Sequence, residues 1–283
     1  MPDRIHVIGA AGRSGSALCR TLADSGIPYV PVVRDSAKWR ALGLPGERRA
    51  ADLTDGLSLA DALGDARVVV SCAHARHTAA ILAAAPDQAR FVLLGSTRRY
   101  TRWPDGHGIG VQAGEAALLG SGRSGVMLHP TMIYGAQGED NVQRLAALLR
   151  RLPVVPLPGG GRALVQPIHQ DDVTRCILAA TAIDWPGPRA VVIAGPAPLP
   201  YADFVRAVAR AAGQRRPRIM PVPAPVLMAL APLTGLLPFV PRITAAEIRR
   251  LLEDKAFPID AMLGTLGVRP IPLEEGLART FPS

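Results

Sequence analysis

The sequence is poor in aromatic residues, which make up 4% of the chain, and in lysine, which occurs only at Lys38 and Lys255. Its formal net charge of +9 comes from arginines that are scattered along the chain and form no basic stripe. Nucleic-acid-binding surfaces combine clustered basic residues with aromatic side chains that stack on bases. The shortage of both argues against nucleic-acid binding, and we attribute the positive charge to a compositional preference for arginine.

Cysteine is also scarce. Cys19, Cys72 and Cys176 are isolated from one another in apolar surroundings, with neither disulfide nor zinc spacing. We predict three reduced core thiols, as in a cytoplasmic protein. His74 and His77 lie three residues apart but lack a third ligand with suitable spacing, so the sequence predicts no metal site.

Long uninterrupted hydrophobic runs are missing. The strongly apolar stretch from Val226 to Val240 contains Pro232 and Pro238, which divide it into pieces too short to span a bilayer. We expect no transmembrane segment and favour a buried helical lobe or an apolar pocket wall, with peripheral membrane contact as the alternative. Met1 to Arg4 leads directly into the first apolar run, which predicts no leader sequence.

The strongest positive signal is a glycine-rich turn. The apolar run Ile5 to Ile8 precedes it, and a helix-periodic stretch beginning at Ala17 follows it. Such a turn lets the backbone approach a pyrophosphate, whose charge is met by free N–H groups and the positive end of the helix dipole. An ordinary glycine turn is the alternative, but the strand-turn-helix context favours a phosphate cradle. Its predicted residues are Gly9, Gly12, Arg13, Ser14 and Gly15.

Short β-type runs alternate with alanine- and leucine-rich helical patterns along the chain. The predicted strands are Ile5 to Ile8, Tyr29 to Val33, Arg49 to Ala51, Val68 to Ser71, Phe91 to Leu94, Val126 to His129 and Ala190 to Ile193. This alternation predicts an α/β fold, a doubly wound parallel sheet covered by helices on both faces. We assign residues 1–134 and 165–195 to this domain. Residues 135–164 and 196–283 are predicted to form a smaller C-terminal substrate lobe over the carboxyl edge of the sheet.

Two local features belong to the junction between these parts. Pro153 to Gly161 is predicted to be a turn-rich hinge. Asp171 or Asp172 is predicted to be the N-cap of the helix from Asp172 to Ala182.

Several motifs together point to a known family. They are the glycine loop, Asp52-Leu53, the segment from Phe91 to Ser96, the segments from His129 to Gly135 and from Gln166 to Val173, and the segment from Pro272 to Leu277. In this order they resemble the short-chain dehydrogenase/reductase superfamily, specifically its extended and atypical members related to nucleotide-sugar epimerases. The resemblance implies a Rossmann-like domain in which the loop holds the pyrophosphate, Asp52 and Leu53 contact adenine, and the segment with Pro130 and Thr131 approaches the nicotinamide.

The end of the second predicted strand indicates which nicotinamide cofactor is bound. An acidic residue there binds the ribose 2′-hydroxyl of NAD, whereas arginine favours the 2′-phosphate of NADP. Arg34 ends this strand and, with Arg13 and Lys38, offers charge-assisted bonds to a phosphate. We therefore predict NADP(H). The alternative is that Asp35 binds the ribose, which favours NAD(H).

The resemblance also shows what the chain lacks. Enzymes of the superfamily that transfer hydride generally use a tyrosine four residues before a lysine, and neither Lys38 nor Lys255 has a tyrosine at that spacing. The corresponding positions fall near His107 and Val111. Imidazole exchanges protons near neutral pH, so His107 is the predicted acid, although a solvated histidine in a flexible glycine-rich loop is equally consistent with its context. Ser96 is the predicted catalytic serine.

These observations favour an NADP(H)-dependent oxidoreductase or isomerase that acts on a small organic carbonyl or alcohol substrate, with Ser96 polarising the carbonyl. The alternative from another class is a non-catalytic NAD(P)-binding protein, such as a redox sensor, assembly factor or accessory subunit. A nucleotide-sugar epimerase or dehydratase is the least favoured interpretation because it needs the missing pair.

Two further expectations concern surfaces. Arg162 is a candidate for binding an anionic substrate group, or a surface turn residue. The apolar helices Thr78 to Ala85 and Gly114 to Leu119 are candidates for a two-fold dimer interface.

Overall fold

The computed structural model describes residues 4–135, 141–232 and 244–282. Its centre is a seven-stranded parallel sheet of order β11-β6-β5-β4-β1-β2-β3. The order reverses between β1 and β4, as in doubly wound folds. The strands are β1 Ile5–Ile8, β2 Tyr29–Val33, β3 Arg49–Ala50, β4 Val68–Ser71, β5 Arg90–Leu94, β6 Gly125–Pro130 and β11 Pro188–Ile193.

Helices cover both faces of this sheet. They are α1 Arg13–Asp24, α2 Ser36–Ala41, α3 Gly56–Leu63, α4 Thr78–Ala84, α5 Gly106–Gly120 and α7 Gln170–Thr181. Leu18 of α1 and Ile177 of α7 belong to one hydrophobic core, whereas Leu59 of α3 and Val111 of α5 belong to a second core on the opposite face. The predicted α/β fold and the seven predicted strands are confirmed. They could be predicted because strands buried on both faces of a parallel sheet form short apolar runs in the sequence.

A smaller lobe has its own hydrophobic core, in which Phe204 and Val205 pack with Val142, Leu157 and Leu277. Its helices are α6 Asn141–Leu149, α8 Tyr201–Ala211, α9 Ala224–Leu230, α10 Ala245–Arg250 and α12 Leu273–Thr280. The helix α11 Asp260–Leu266 packs on the core of the sheet domain instead. Short strand pairs complete it: β7 Ile133–Tyr134 with β10 Ile168–His169, β8 Val154–Pro158 with β13 Arg218–Val222, and β9 Leu164–Val165 with β12 Leu199–Pro200. The exact division into domains stays a prediction.

Two local predictions are wrong. Pro153 to Gly161 is not only a hinge, because β8 occupies most of it through parallel pairing with β13. The N-cap of α7 is His169, whose Nδ1 accepts from the backbone N–H of Asp171. Asp172 is instead fully buried and accepts a hydrogen bond from the backbone N–H of Ile271 at 2.9 Å.

The apolar stretch from Val226 to Val240 is described only in its first part. There α9 contains no buried residue, and Val226 and Leu230 are 47% and 50% exposed. The expected buried helix is therefore wrong for α9, which packs against α10. Residues 233–243 lie outside the described residues. No helix within the described ranges is long and apolar enough to cross a bilayer.

The remaining sequence predictions concern thiols and self-association. The three cysteines are free in the structure; Cys19 and Cys176 are buried and Cys72 is half-buried, and their reduced state stays a prediction. The helices α4 and α5 pack against each other. A dimer formed through them stays a prediction.

Candidate functional site

Two cavities lie along the carboxyl edge of the sheet. The glycine-loop cavity, of about 300 Å³, is lined by residues that follow β1, β2, β3 and β4. The Ser96 cavity, of about 420 Å³, is lined by residues that follow β5 and β6 and by residues of the lobe. Because β4 and β5 are neighbours in the sheet, the two cavities flank adjacent strand ends, where ligands bind in open α/β folds.

The glycine loop has the compact backbone that a phosphate cradle requires. Gly9 has a φ of 74°, in the region that favours glycine, and its carbonyl oxygen accepts from the N–H of Gly12 at 2.8 Å. A Cβ on Gly15 would lie 2.1 Å from that same oxygen, so no larger residue fits there. No side chain caps α1 at Gly12 and its first turn holds no acidic residue, which leaves the helix N-terminus suited to an anion.

Charged residues follow β2 at the other side of this cavity. Asp35 is the N-cap of α2, and its Oδ1 accepts from the backbone N–H groups of Ala37 and Lys38 at 2.9 and 3.0 Å. The Lys38 N–H, followed by that of Ala37, lowers the pKa of the Asp35 carboxyl. Arg34 and Lys38 line the same cavity and are exposed. One carboxylate oxygen of Asp35 is therefore occupied by hydrogen bonds to the first turn of α2, whereas Arg34 and Lys38 face solvent beside the cavity.

Asp52 and Leu53 complete the wall where adenine is expected. Asp52 Oδ1 accepts from the backbone N–H of Thr54 at 2.9 Å and from its hydroxyl at 2.7 Å. These hydrogen bonds to Thr54 lower the pKa of Asp52. The carboxylate thus shapes the turn after β3 and keeps Leu53 at the cavity.

The structure brings together most of the predicted cofactor residues, though not all. Those that line the glycine-loop cavity are Gly9, Gly12, Arg34, Lys38, Asp52 and Leu53. Arg13, Ser14 and Gly15 form the first turn of α1, and the Ser14 hydroxyl donates to Gln170 Oε1 at 3.1 Å. Pro130 ends β6, and Thr131 lines the Ser96 cavity instead.

Ser96 is held at its cavity from two sides. Its backbone N–H donates to His129 Nδ1 at 3.1 Å. Its hydroxyl oxygen accepts from the N–H of Arg98 at 3.2 Å and caps a 3-10 turn over Thr97–Tyr100. Because the hydroxyl acts as acceptor in this cap, its own proton stays available for a ligand.

A buried polar cluster behind Ser96 fixes this arrangement. His129 is fully buried, and its Nε2 lies 2.8 Å from Glu115 Oε2, which also lies 2.5 Å from Arg99 Nε. Burial, with the Arg99 charge, lowers the pKa of His129 to about 4, and burial raises the pKa of Glu115. His129 is therefore neutral at pH 7, and because its Nδ1 accepts from Ser96, its proton sits on Nε2. A Cβ on Gly95 would lie 2.4 Å from His129 Nδ1, which explains the glycine before Ser96.

His107 lies elsewhere. The prediction that His107 lies in a flexible loop is wrong. His107 is in the first turn of α5, and Asp105 caps this helix by accepting a hydrogen bond from the backbone N–H of Gly108. Its Nδ1 lies 3.1 Å from Nε2 of His74, a residue that lines the glycine-loop cavity. Burial lowers the pKa of both rings, that of His74 to about 4. Within the described ranges, His107 does not line the Ser96 cavity, so the two predicted catalytic residues are not brought together.

Sequence reasoning missed most of the Ser96 cavity. Its cationic lining comes from Arg98, Arg102, Arg250 and Lys255, and Arg162 is not part of it. The lining residues that follow β5 lie about 150 positions from those that follow α10, and no local motif announces that they meet. The available signal was Lys255 itself, because both lysines of this lysine-poor chain line one of the two cavities.

Comparisons with known proteins agree with this architecture. Residues 9–117 match the NAD(P)H-binding family model. No curated protein matches the sequence. Among solved structures, the chain is similar to gox2253 at 19% identity, covering 99% of this chain and 96% of that one, with a TM-score of 0.76. It is also similar to a UDP-glucuronic acid 4-epimerase from Bacillus cereus in complex with UDP-glucuronic acid and NAD, at 17% identity, 98% coverage of both chains and a TM-score of 0.74.

Another similar structure is a double mutant of DesIV, a dTDP-glucose 4,6-dehydratase from Streptomyces venezuelae with NAD bound. Its identity is 17%, the match covers 98% of this chain and 95% of that one, and the TM-score is 0.74. At such identities the structures show the shared fold, and the family match supports a nicotinamide cofactor. Residues 9–117 thus match an NAD(P)H-binding domain, and the chain as a whole shares the Rossmann-like fold of these solved structures.

Proposed function

We propose that the chain is an NADP(H)-dependent oxidoreductase that acts on a small organic carbonyl or alcohol bound in the Ser96 cavity. The observation that carries this proposal is the position of Ser96: its hydroxyl proton is available in a cavity beside the glycine-loop cavity, and His129 fixes its backbone. A dinucleotide lying along the carboxyl edge would pass from the adenine end of one cavity to the other.

The preference for NADP(H) rests on the residues after β2. Asp35 caps α2 with Oδ1, whereas Arg34 and Lys38 are exposed at the cavity. A dianionic 2′-phosphate gains charge-assisted hydrogen bonds from these two side chains that a ribose hydroxyl does not. The uncapped turn of α1 at Gly12 would hold the pyrophosphate.

The chain's own residues supply the remaining chemistry. The bound cofactor would supply a hydride at its nicotinamide ring. The Ser96 hydroxyl would donate a hydrogen bond to the substrate oxygen, which polarises the carbonyl as negative charge develops there. Reduction would add that hydride to the carbonyl carbon and a proton to the oxygen, giving an alcohol. We assign the proton supply to solvent in the Ser96 cavity, because His74 lines the other cavity and burial lowers the pKa of both His74 and His107.

The proposal is tested by mixing the protein with NADPH and a panel of aldehydes and ketones, following NADPH absorbance and identifying the products by mass spectrometry. We expect NADPH consumption matched by formation of the corresponding alcohol. Absence of consumption across the panel, with NADPH bound tightly in a parallel titration, would contradict it.

That contradicting outcome is what the second candidate function requires, a non-catalytic NAD(P)-binding protein. One observation favours it: Ser96 and His107 do not share a cavity, so the described residues offer no assembled donor pair. The exposed apolar side chains of α9, Val226 and Leu230, would then serve contact with a partner.

A further inference from the structure

The Ser96 cavity holds more positive than negative charge. Its lining includes four cationic residues, namely Arg98, Arg102, Arg250 and Lys255, and two carboxylates, Glu253 and Asp254. Low-dielectric walls around one sign of charge concentrate ligands of the opposite sign. The balance of charge in this cavity therefore favours an anionic ligand.

The nearby carboxylates are already engaged. Glu253 is 6% exposed and accepts from the Thr101 hydroxyl at 2.8 Å and from the backbone N–H of Arg102 at 2.6 Å. Asp254 Oδ1 accepts from the backbone N–H of Leu164 at 2.8 Å. Neutral donors, and not the cations of the cavity, thus satisfy both carboxylates.

Two of the arginines, Arg98 and Arg250, share one counter-ion that lies outside the lining. Asp105 Oδ2 lies 2.9 Å from Arg98 Nη2 and 3.3 Å from Arg250 Nη1, while Oδ1 caps α5. One carboxylate therefore offsets two guanidinium groups and a helix terminus. Their positive charge is only partly compensated.

Lys255 has no such partner. Its Nζ donates to the backbone carbonyl of Arg250 at 2.6 Å, and in the described part of the chain no carboxylate lies within ion-pair distance of it. Burial lowers its pKa, and the Arg250 and Arg98 charges lower it further against the opposing effect of Glu253. A half-buried ammonium among arginines is stabilised by any anion that enters beside it.

Another part of the wall is apolar and aromatic. The rings of Tyr100 and Phe257 pack with centroids 5.6 Å apart, and the backbone N–H of Phe257 donates to Gln166 Oε1 at 2.8 Å, which holds this wall in place. Val165, Met132 and Leu251 extend it. A ligand that fills the cavity therefore needs an apolar body as well as a charge.

We propose that the Ser96 cavity binds an amphipathic organic carboxylate, with its carboxylate at Arg250 and Lys255 and its apolar body against Tyr100 and Phe257. Binding of this ligand does not depend on the proposed function. Only the reduction of a carbonyl group in the ligand rests on it. The substrate of the enzyme is then an oxo acid bearing an aryl or alkyl group.

The test uses binding without turnover. Isothermal titration with and without NADPH compares 3-phenylpropanoate, its methyl ester, phenyl phosphate and inorganic phosphate. We expect the acid to bind about tenfold or more tightly than the neutral ester, because a charge-assisted bond is lost. Lys255→Met should weaken binding of the acid by a similar factor and leave the ester unchanged, whereas Lys255→Arg should restore the acid. Arg162→Met, which removes an exposed arginine outside the cavity, is the matched control and should change neither.

Each result bears on one of the two proposals. Equal affinity for acid and ester, or a Lys255→Met variant that retains its fold by circular dichroism and binds the acid unchanged, would overturn the carboxylate site. Tighter binding of phenyl phosphate than of the acid would show that the cavity selects a phosphate ester and not a carboxylate. Inorganic phosphate that binds as tightly as the acid would show that the aromatic wall contributes nothing to binding. Acid binding that depends on Lys255, without NADPH consumption by any carbonyl, would support this site and contradict the oxidoreductase.

Discussion

The two cavities of this protein differ in what builds them. The glycine-loop cavity is made mainly of backbone and of exposed side chains that directly follow the first four strands. The Ser96 cavity is made of half-buried charges and rings that come from β5, β6 and the lobe. Under the proposed function, the first cavity would hold the phosphates and nucleotide of the cofactor, and the second would select the substrate. We therefore expect cofactor binding and substrate choice to be separable by mutation.

The largest effect is expected on the Ser96 side. Ser96→Ala removes the hydroxyl that would polarise the carbonyl, so kcat should fall about 100-fold or more while NADPH affinity stays within a factor of about two. Steady-state kinetics and an NADPH titration measure the two quantities. Ser121→Ala, whose hydroxyl donates to the Leu118 carbonyl at the far end of α5, is the control. Unchanged turnover in Ser96→Ala would remove Ser96 from the chemistry.

The opposite pattern is expected on the glycine-loop side. Gly15→Ala places a methyl group where Gly9 O stands, so the cradle must shift and NADPH affinity should fall roughly 10- to 100-fold. Thermal unfolding distinguishes a shifted cradle from a lost fold. Gly120→Ala is the control, because nothing lies within 4 Å of its added Cβ. A Gly15→Ala variant that binds NADPH normally would contradict the cradle.

A smaller change should alter cofactor preference alone. Arg34→Met is expected to weaken NADPH binding about tenfold and leave NADH binding unchanged, because one charge-assisted bond to the 2′-phosphate is lost. Arg40→Met, at the exposed end of α2, should affect neither cofactor. Equal losses for NADPH and NADH in Arg34→Met would mean that Arg34 contacts a part common to both.

The smallest expected effect is on stability against acid, and it concerns the support of Ser96. Since the pKa of buried His129 is lowered from 6.5 to about 4, the unfolded chain binds more protons than the folded one between these values. Stability is therefore complete above about pH 6.5 and is lost as the pH falls toward 4, at up to about 1.4 kcal/mol per pH unit. His129→Gln should unfold in urea with a weaker dependence on pH between 7.0 and 5.5.

The wild type and His129→Gln both keep Glu115. Its raised pKa lowers stability as the pH rises, which is the opposite of the effect of His129. His77→Gln, which changes a half-buried ring, should reduce the pH dependence less than His129→Gln. Identical slopes for the wild type and His129→Gln would show that the protonation of His129 is not linked to folding.

The same contrast explains how far the sequence alone could lead. Strands buried on both faces and a glycine turn are encoded within a few neighbouring residues, so the sheet and the turn that lines the glycine-loop cavity were predictable. His107 was placed in a loop because glycines flank it, but the Asp105 cap and packing of α5 make it helical. Arg98 meets Arg250 and Lys255 only through tertiary folding, and no periodicity in the sequence indicates that they meet. Contacts between residues far apart in the sequence form the Ser96 cavity.

The central claim is that one dinucleotide joins the two cavities, and a crystal structure with NADP⁺ tests it most directly. We expect the 2′-phosphate within hydrogen-bond distance of Arg34 or Lys38, and the nicotinamide ring in the Ser96 cavity with its C4 facing the Ser96 hydroxyl. A nicotinamide bound outside that cavity, or a C4 surrounded only by apolar groups, would contradict it.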